Sequence, residues 1–303
     1  MRVALVFIDG FGLGEADPEI NPLAWDGSFF HSWLGQPLTR QGIGAGRMAP
    51  GLVVVPTDAC LGVEGLPQSA TGQTSLFTGV NAQKAVGHHV NGFPTAALRR
   101  ILQEKGIFAR LAGTGKRAVF ANAFTTEYLR AVQEGRVRAS ATTVAAQAGD
   151  QPLRLVDKLL AGQAVYQDLT RKGLVERGIV PETISPVQAG RDLATIINAN
   201  DFTLFEYFQT DRCGHKQNKS WARQILEDFG LFFQELLAGL EPAETLLVVT
   251  SDHGNFEALD RKAHTLNPVP TIAWGAAAAE FTTVRCLTDI LPRILRVLQV
   301  PME

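Results

Sequence analysis

Acidic and histidine residues stand in four short polar motifs of this chain. Their types and spacing favour metal binding, and the six residues are Asp9, Asp211, His215, Asp252, His253 and His264. Carboxylates and imidazoles are ordinary protein ligands of Mn²⁺ and Zn²⁺. Three of each are enough for two ions that keep open coordination positions. The sequence therefore predicts a two-metal site of the kind that supports phosphoryl transfer.

A hydroxyl-bearing loop, QSATGQT at 68–74, lies between Asp9 and the other five residues. A serine or threonine hydroxyl is a weak nucleophile at neutral pH, and coordination to a dication lowers its pKa. The pattern predicts a helix that begins in this loop and runs through Leu76. The N–H groups at the start of a helix favour a bound anion such as a phosphoryl group. On these grounds either Ser69 or Thr71 is a candidate nucleophile.

Each motif alone also has an ordinary structural explanation. Asp9-Gly10 is a common strand-ending turn, and a spacing such as that of Asp211 and His215 arises by chance in many chains. The Asp252 motif could be a turn with a capping aspartate, and His264 could lie in a plain loop. The metal-site prediction depends on the joint occurrence of the motifs, in this order and next to predicted strands.

Three apolar runs predict the strands that position these residues. Residues 3–8 end directly before Asp9, residues 245–250 end just before Asp252, and residues 202–208 end shortly before Asp211. Runs that are apolar on both faces are typical of parallel strands covered by helices on both sides. In open α/β sheets, sites form beyond the carboxyl ends of the strands. The positions of the aspartates fit that rule.

Helices are predicted in the intervals between these strands. Ser185 as N-cap, Pro186 at the first helical position and Gln188 as a capping-box residue predict a helix to about Asn198. Apolar residues at helical spacing predict two further amphipathic helices, over about 218–240 and 287–298.

The middle third has a different pattern, with short helices, Ala- and Gly-rich connections and no candidate ligand. Two brief strands are predicted, at 117–121 and 137–141. The simplest organisation is a catalytic core of residues 1–92 and 190–303 with a small inserted cap domain of residues 93–189. One continuous sheet is the alternative.

Composition excludes several classes of partner. The chain has 303 residues, 46% hydrophobic and 19% charged, with a formal net charge of −2. A near-neutral chain has no global attraction for nucleic acid or an anionic membrane. No apolar run is long enough for a membrane helix, and three cysteines without paired spacing form no metal cluster or disulfide framework. We therefore expect a cytoplasmic protein that acts on a small molecule; the oligomeric state is not predicted.

Three motifs carry a family resemblance. SDHGNFE at 251–257, DRCGH at 211–215 and HTLNPVP at 264–270 resemble the metal-binding signatures of the alkaline phosphatase superfamily. They are most similar to the branch of cofactor-independent phosphoglycerate mutase and phosphopentomutase. The resemblance implies an α/β fold, an alkaline phosphatase-like three-layer sandwich with a mostly parallel sheet and a small inserted cap domain. It also implies two ions, Mn²⁺ or Zn²⁺, one held by Asp211, His215 and His264, the other by Asp9, Asp252, His253 and the nucleophile.

The loop at 68–74 is similar to the nucleophile loop of that superfamily, whose hydroxyl residue stands three positions before a glycine. Ser69 is the match and Thr71 the fallback. Gln73 is a departure, because the branch usually has a histidine there. The resemblance implies phosphoryl transfer or hydrolysis on a small phosphorylated metabolite through a phosphoserine, as a phosphomutase or a phosphatase. A phosphodiesterase or phosphonate hydrolase on the same core, and a non-catalytic metal-stabilised binding protein, are the alternatives. The lysines and arginines that would bind phosphate are not predicted.

Overall fold

The computed structural model describes residues 1–301, which form two sheets surrounded by helices. The strands are β1 (Arg2–Ile8), β2 (Arg47–Ala49), β3 (Leu52–Thr57), β4 (Ala118–Phe120), β5 (Ala123–Phe124), β6 (Arg154–Leu155), β7 (Phe202–Tyr207), β8 (Thr245–Thr250) and β9 (Val269–Trp274). The helices are α1 (Phe29–Leu34), α2 (Arg40–Ile43), α3 (Ser69–Thr78), α4 (Ala82–Val86), α5 (Ala96–Lys105), α6 (Ile107–Leu111), α7 (Thr126–Gln133), α8 (Ala141–Gln147), α9 (Val156–Leu160), α10 (Lys172–Val175), α11 (Pro186–Asn198), α12 (Gln209–Lys216), α13 (Lys219–Ala238) and α14 (Ile290–Leu298). Short 3₁₀ helices occur at Pro22–Ala24, Ala278–Phe281 and Leu287–Asp289.

The main sheet has seven strands in the order β2-β3-β9-β8-β1-β7-β4. The strands β4, β7, β1 and β8 are parallel neighbours. Strand β9 is antiparallel to both β8 and β3, so β3 runs in the same direction as β8, and only β9 and β2 run the opposite way. The expected α/β fold with a mostly parallel sheet is confirmed.

Strand β1 shows why the sheet is covered on both sides. Val3, Leu5 and Phe7 point into one core layer, and the alternate residues, including Val6, point into the other. All of these side chains are buried. Burial of both strand faces requires helices on each side of the sheet, which gives three layers.

The predicted helices around the sheet are confirmed. Ser185 caps α11 by accepting a hydrogen bond from the Gln188 amide at 3.2 Å, and Pro186 is its first residue. The reciprocal half of a capping box is missing, because the Gln188 side chain donates instead to Asp192. Helix α13 begins after Asn218, and the C-terminal helix consists of a 3₁₀ turn followed by α14.

The middle third departs from the sequence prediction. The strand expected at 117–121 forms over Ala118–Phe120, but it is the edge strand β4 of the main sheet beside β7. Its three side chains are buried, which explains why it pairs there. The strand expected at 137–141 is wrong. Ser140 instead caps α8, because its side chain accepts a hydrogen bond from the Thr143 amide.

Residues 93–189 supply strands to both sheets, and a separate cap unit within them stays a prediction. Strands β5 and β6 form a separate two-stranded parallel sheet. A small core cluster packs beside it, including Leu159, Leu174 and Val180. Movement of this unit relative to the main sheet stays a prediction. Within the described part of the chain, no helix is long and apolar enough to cross a membrane.

Candidate metal centre

The candidate ligands meet at one edge of the main sheet. Asp9 directly follows β1, Asp252 follows β8 by one residue, and Asp211 lies in the first turn of α12, after β7. Since β8, β1 and β7 are adjacent and parallel, their carboxyl ends bring the three aspartates together. His264 comes from the loop between β8 and β9.

A first group of ligands consists of Asp9, Asp252 and His253, all buried. The His253 Nε2 atom lies 3.3 Å from Asp9 Oδ1 and 3.5 Å from Asp252 Oδ2. It also lies 3.0 Å from the hydroxyl oxygen of Ser69. The three residues and the hydroxyl thus surround one point, as the sequence predicted.

A second group consists of Asp211, His215 and His264. The His215 Nε2 atom lies 3.3 Å from Asp211 Oδ2 and 3.4 Å from His264 Nε2, and that His264 atom lies 3.5 Å from Asp211 Oδ1. His253 stacks on His264 with ring centroids 3.7 Å apart, so Asp211, His253 and His264 also converge. His253 therefore lies between the two groups. The division of the histidines between two ions stays a prediction.

Burial changes the pKa values of four of the candidate ligands. Burial and the neighbouring carboxylates raise the pKa of Asp9 well above its usual value, and burial raises the pKa of Asp252 to about 7. Burial lowers the pKa of His253 and of His264 to about 4, which leaves neutral imidazoles whose lone pairs are free to ligate.

Asp211 behaves differently. Its burial acts to raise its pKa, but the hydrogen bond with His215 and the nearby His253 and His264 lower the pKa below the usual value. Among residues 1–301, no lysine or arginine forms an ion pair with any of the three aspartates; their close partners are histidines.

The buried Oδ1 atom of Asp9 accepts no hydrogen bond from any described residue. Buried carboxylates without a compensating positive charge are unfavourable. A bound cation would satisfy both the orphaned oxygen and the charge. The residues present therefore fit a divalent metal ion.

Gln73, the departure noted in the sequence, is directed into this group. Its amide nitrogen donates to Asp252 Oδ2 at 3.0 Å and to Asp9 Oδ2 at 3.4 Å. The residue is buried, so these bonds fix the two carboxylates relative to α3. A neutral amide supplies hydrogen bonds here without adding a charge or a second imidazole to the first group.

The structure separates the two candidate nucleophiles. Ser69 is the first residue of α3, is only half-buried, and lines the same cavity as Asp9 and Asp211. The Thr71 hydroxyl is buried, donates to the Gln68 carbonyl and accepts from the Val90 amide, both at 3.2 Å. The second hydroxyl is thus occupied in holding the loop, which favours Ser69 as nucleophile.

Sequence reasoning missed two residues that hold the motifs together. Glu257 is buried and accepts hydrogen bonds from the amides of Gly12 and Asn255 and from the Thr265 hydroxyl. It therefore connects the loop after β1 to two separate parts of the loop between β8 and β9. Glu257 stands in the SDHGNFE motif at 251–257, so its position next to the ligands is the one feature of the sequence that could have indicated this role.

Asn255 is the second missed residue. Its amide nitrogen donates to Asp211 Oδ1 at 3.1 Å and so orients that carboxylate, whereas His215 Nδ1 donates to the Lys262 carbonyl at 2.7 Å. Close approach of Asn255 explains the glycine in DRCGH: a Cβ on Gly214 would lie 2.0 Å from Asn255 Oδ1. Cys213 in the same motif is buried and points its thiol at the Asn218 carbonyl, so it packs rather than ligates.

The metal centre opens into a cavity of about 400 Å³. Asp9, Ser69 and Asp211 lie at one end, and side chains from the middle third and from the end of β7 line the rest. The cationic residues in its lining are Arg177 and Arg212, both exposed. Nothing in the sequence favoured these two arginines over others as phosphate ligands. Arg171, for example, is buried against the Leu159 carbonyl and Asp192 and has a structural role.

Comparisons with known proteins agree with this arrangement. Residues 179–302 match the Metalloenzyme superfamily. Over 125 residues, or 39% of this chain, the sequence is 30% identical to a 2,3-bisphosphoglycerate-independent phosphoglycerate mutase of Roseobacter denitrificans, and the match covers 25% of that protein. The chain spans about a quarter of the length of the curated relatives it matches.

Solved structures share the fold over the whole chain. A protein from Pyrococcus horikoshii superimposes with a TM-score of 0.56 at 13% identity, covering 100% of this chain and 98% of that one. The alkaline phosphatase of the Antarctic bacterium TAB5 gives a TM-score of 0.51 at 14% identity, covering 99% and 98%. The alkaline phosphatase-like fold is therefore confirmed. The resemblance carried by the three motifs is supported separately, by the family match over residues 179–302 and by the phosphoglycerate mutase relatives.

Proposed function

We propose that this protein is a metal-dependent phosphatase that hydrolyses a small phosphorylated metabolite through a phosphoserine at Ser69. The observation that carries the proposal is the convergence of Ser69 with three aspartates and three histidines, a group in which Ser69, Asp9 and Asp211 line the cavity. The Ser69 oxygen lies 3.0 Å from a ligand atom of the first group. It stands at the start of a ten-residue helix, whose amide end favours a phosphoryl group.

Asp9, Asp252, His253 and Ser69 would hold one divalent ion, and Asp211, His215 and His264 the other. Such ions, when bound, lower the pKa of a coordinated hydroxyl and neutralise charge on a phosphoryl group. Either Mn²⁺ or Zn²⁺ suits this mixture of carboxylate and imidazole donors. The chain's own contribution is to position the Ser69 oxygen, with Gln73, Asn255 and Glu257 orienting the ligands around it.

The cavity favours hydrolysis over an intramolecular transfer. A mutase must retain its intermediate and reorient it, which requires several cationic groups and a closing cap. The lining contributes Arg177 and Arg212, and both side chains are exposed at the rim. Two cations suffice to contact one phosphoryl group, and the exposed rim gives water access to a phosphoserine. The match covers only about a quarter of the mutase relatives, so we base the proposed reaction on the site of this chain and not on theirs.

The test is a substrate panel assayed before and after metal removal. Purified protein would be treated with a chelator, analysed for metal, and reloaded with Mn²⁺ or Zn²⁺. We expect release of inorganic phosphate from monoesters by the reloaded protein, with no isomerised phosphate ester among the products. Preferential cleavage of diesters would instead favour the phosphodiesterase alternative. Two bound ions without turnover of any ester would contradict an enzymatic role.

A further inference from the structure

Six aromatic rings line the cavity beside the candidate metal centre. They come from separate parts of the chain: Phe93, Phe120, Phe124, Tyr128, Tyr166 and Phe208. Phe124 stacks on Tyr128 with ring centroids 5.7 Å apart, and Phe120 lies 5.7 Å from Phe124. We refer to these six residues as the aromatic wall.

Most of the aromatic wall remains partly accessible. Phe120 is buried, whereas Phe93, Phe124, Tyr128, Tyr166 and Phe208 are half-buried. Ring faces that complete a hydrophobic core are normally covered, and these face the space that also holds Ser69. Pockets lined by apolar and aromatic side chains with a few polar groups are typical of small-molecule sites.

The polar side chains beside the aromatic wall are already hydrogen-bonded within the protein. Asn122 exchanges two hydrogen bonds with the backbone of Glu206, at 2.7 and 2.8 Å. Ser140 and Thr125 cap helices by accepting from backbone amides. Gln167 accepts from the Gln209 side chain. A ligand rich in hydroxyl groups would lose hydrogen bonds to water here and find few free partners.

Glu206 is a buried polar group of this region, and it lines the cavity together with the exposed Arg177 and Arg212. One carboxylate oxygen accepts from the Thr142 hydroxyl at 2.7 Å; the other has no hydrogen-bond partner among residues 1–301. Burial raises the pKa of Glu206 to about 7, so the carboxyl group is mostly uncharged below that pH and about half ionised at pH 7. An uncharged carboxyl group adds little repulsion toward an apolar ligand and offers one directional hydrogen bond.

We propose that the substrate is a phosphomonoester whose alcohol carries an aromatic ring or an apolar group of similar size, bound against the aromatic wall while its phosphate lies at Ser69. This inference deepens the proposed phosphatase function and rests on it. It distinguishes the substrate class from phosphorylated sugars and sugar acids, whose hydroxyl groups find no hydrogen-bond partner on the ring faces of the aromatic wall.

Equilibrium binding separates this inference from the reaction itself. Titration calorimetry with benzylphosphonate and methylphosphonate, on the full chain loaded with Mn²⁺ or Zn²⁺, compares two ligands with the same anionic group. Burial of a phenyl ring corresponds to a preference of about 10- to 100-fold for the benzyl compound. Phe124→Ala should reduce that preference several-fold. Phe29→Ala is the control, since Phe29 is a half-buried ring packed against Trp33 and Phe233 on the other side of the sheet.

Turnover of benzyl phosphate and glycerol phosphate completes the test. Both release primary alcohols, so a difference in kcat/KM reports the cavity more than the leaving group. Equal binding of the two phosphonates, or a benzyl preference that survives both Phe124→Ala and Tyr128→Ala, would overturn the inference even if phosphatase activity is found. Absence of turnover on both esters, with the benzyl preference intact, would refute the phosphatase proposal and leave the ligand class standing.

Discussion

The cavity has a polar end, the candidate metal centre, and an aromatic end, the aromatic wall, and the two are built in opposite ways. The candidate metal centre forms at the carboxyl ends of three adjacent strands; its side chains are polar and connected by hydrogen bonds, and all except Ser69, Asp211 and His215 are buried. The aromatic wall comes from scattered positions between Phe93 and Phe208, mostly on short elements, and its rings are half-buried except that of Phe120. A rigid sheet edge can hold reacting atoms in place, whereas a wall of rings can change with little effect on the fold. The difference suggests that chemistry is determined at one end and substrate choice at the other.

Loss of the nucleophile should have the largest effect on turnover. Ser69→Ala removes the attacking oxygen, and we expect kcat to fall by about three or more orders of magnitude on every substrate. The fold should be retained, because the Ser69 side chain makes its one hydrogen bond to His253. Steady-state rates on an aromatic and a polar monoester provide the measurement.

Thr71 supplies the matched control for that substitution. Thr71→Ser keeps both hydrogen bonds of the loop, and Thr71→Ala removes them, at a cost of about 1 kcal/mol each. Both variants should retain measurable turnover when assayed well below their unfolding temperature. Near-normal rates in Ser69→Ala, or complete loss in Thr71→Ser, would contradict the choice of Ser69.

Asp252→Asn tests whether the first group holds an ion. The substitution keeps the size of the side chain and an oxygen that can accept from Gln73, but it removes the charge. We expect loss of one of two bound divalent ions and a fall in kcat of about two or more orders of magnitude. Elemental analysis after dialysis is the direct measurement. Asp260→Asn, in the same loop but exposed and paired with Arg261, should retain both ions.

Glu206→Gln should have the smallest effect on turnover, and its main effect is on the free energy of unfolding. In the unfolded chain the carboxyl group ionises near pH 4.5, whereas in the folded protein it retains its proton to about pH 7. Between these values the unfolded state binds fewer protons, so the free energy of unfolding falls as pH rises and levels off above about 7. Glutamine does not ionise, and its advantage should grow over that window to on the order of 3 kcal/mol.

Denaturant unfolding of metal-free protein at several pH values measures this effect. Asp9, Asp252 and Tyr128 interact with the Glu206 charge and titrate in both proteins, so the difference between wild type and Glu206→Gln reports the Glu206 carboxyl group together with its effect on these neighbours. Glu227→Gln, at an exposed position of α13, should follow the wild-type curve. A constant difference between wild type and Glu206→Gln across this range would show that Glu206 ionises normally in the fold.

The sequence predicted the polar end well because its motifs follow apolar runs that can only be buried strands. Asp9, Asp211 and Asp252 each stand just beyond such a run, and topology then brings them together. The role of Gln73 needed coordinates, since a neutral amide could equally have faced solvent. The sequence did not indicate that strand β4 would join the main sheet, because three buried residues, Ala118–Phe120, do not specify which sheet they pair with.

The aromatic wall could not be predicted in the same way. Its members are far apart in the chain and follow no common period, so each ring was indistinguishable from an ordinary core residue. The positions of Arg177 and Arg212 in the cavity lining could not be predicted either, because nothing in the sequence shows which cavity an exposed arginine borders. Both omissions concern side chains placed by tertiary packing, whereas the correct predictions concern residues placed by the ends of strands.

The most direct test of the account is to find where the phosphoryl group goes. Metal-loaded protein would be mixed with excess phosphomonoester, quenched in acid within the first turnover, digested and mapped by mass spectrometry. We predict one phosphoryl group, on Ser69, in wild type and in Thr71→Ser, and none in Ser69→Ala. Phosphate on Thr71, or multiple turnovers without phosphate on any residue of the loop at 68–74, would contradict the assignment of Ser69 as the nucleophile.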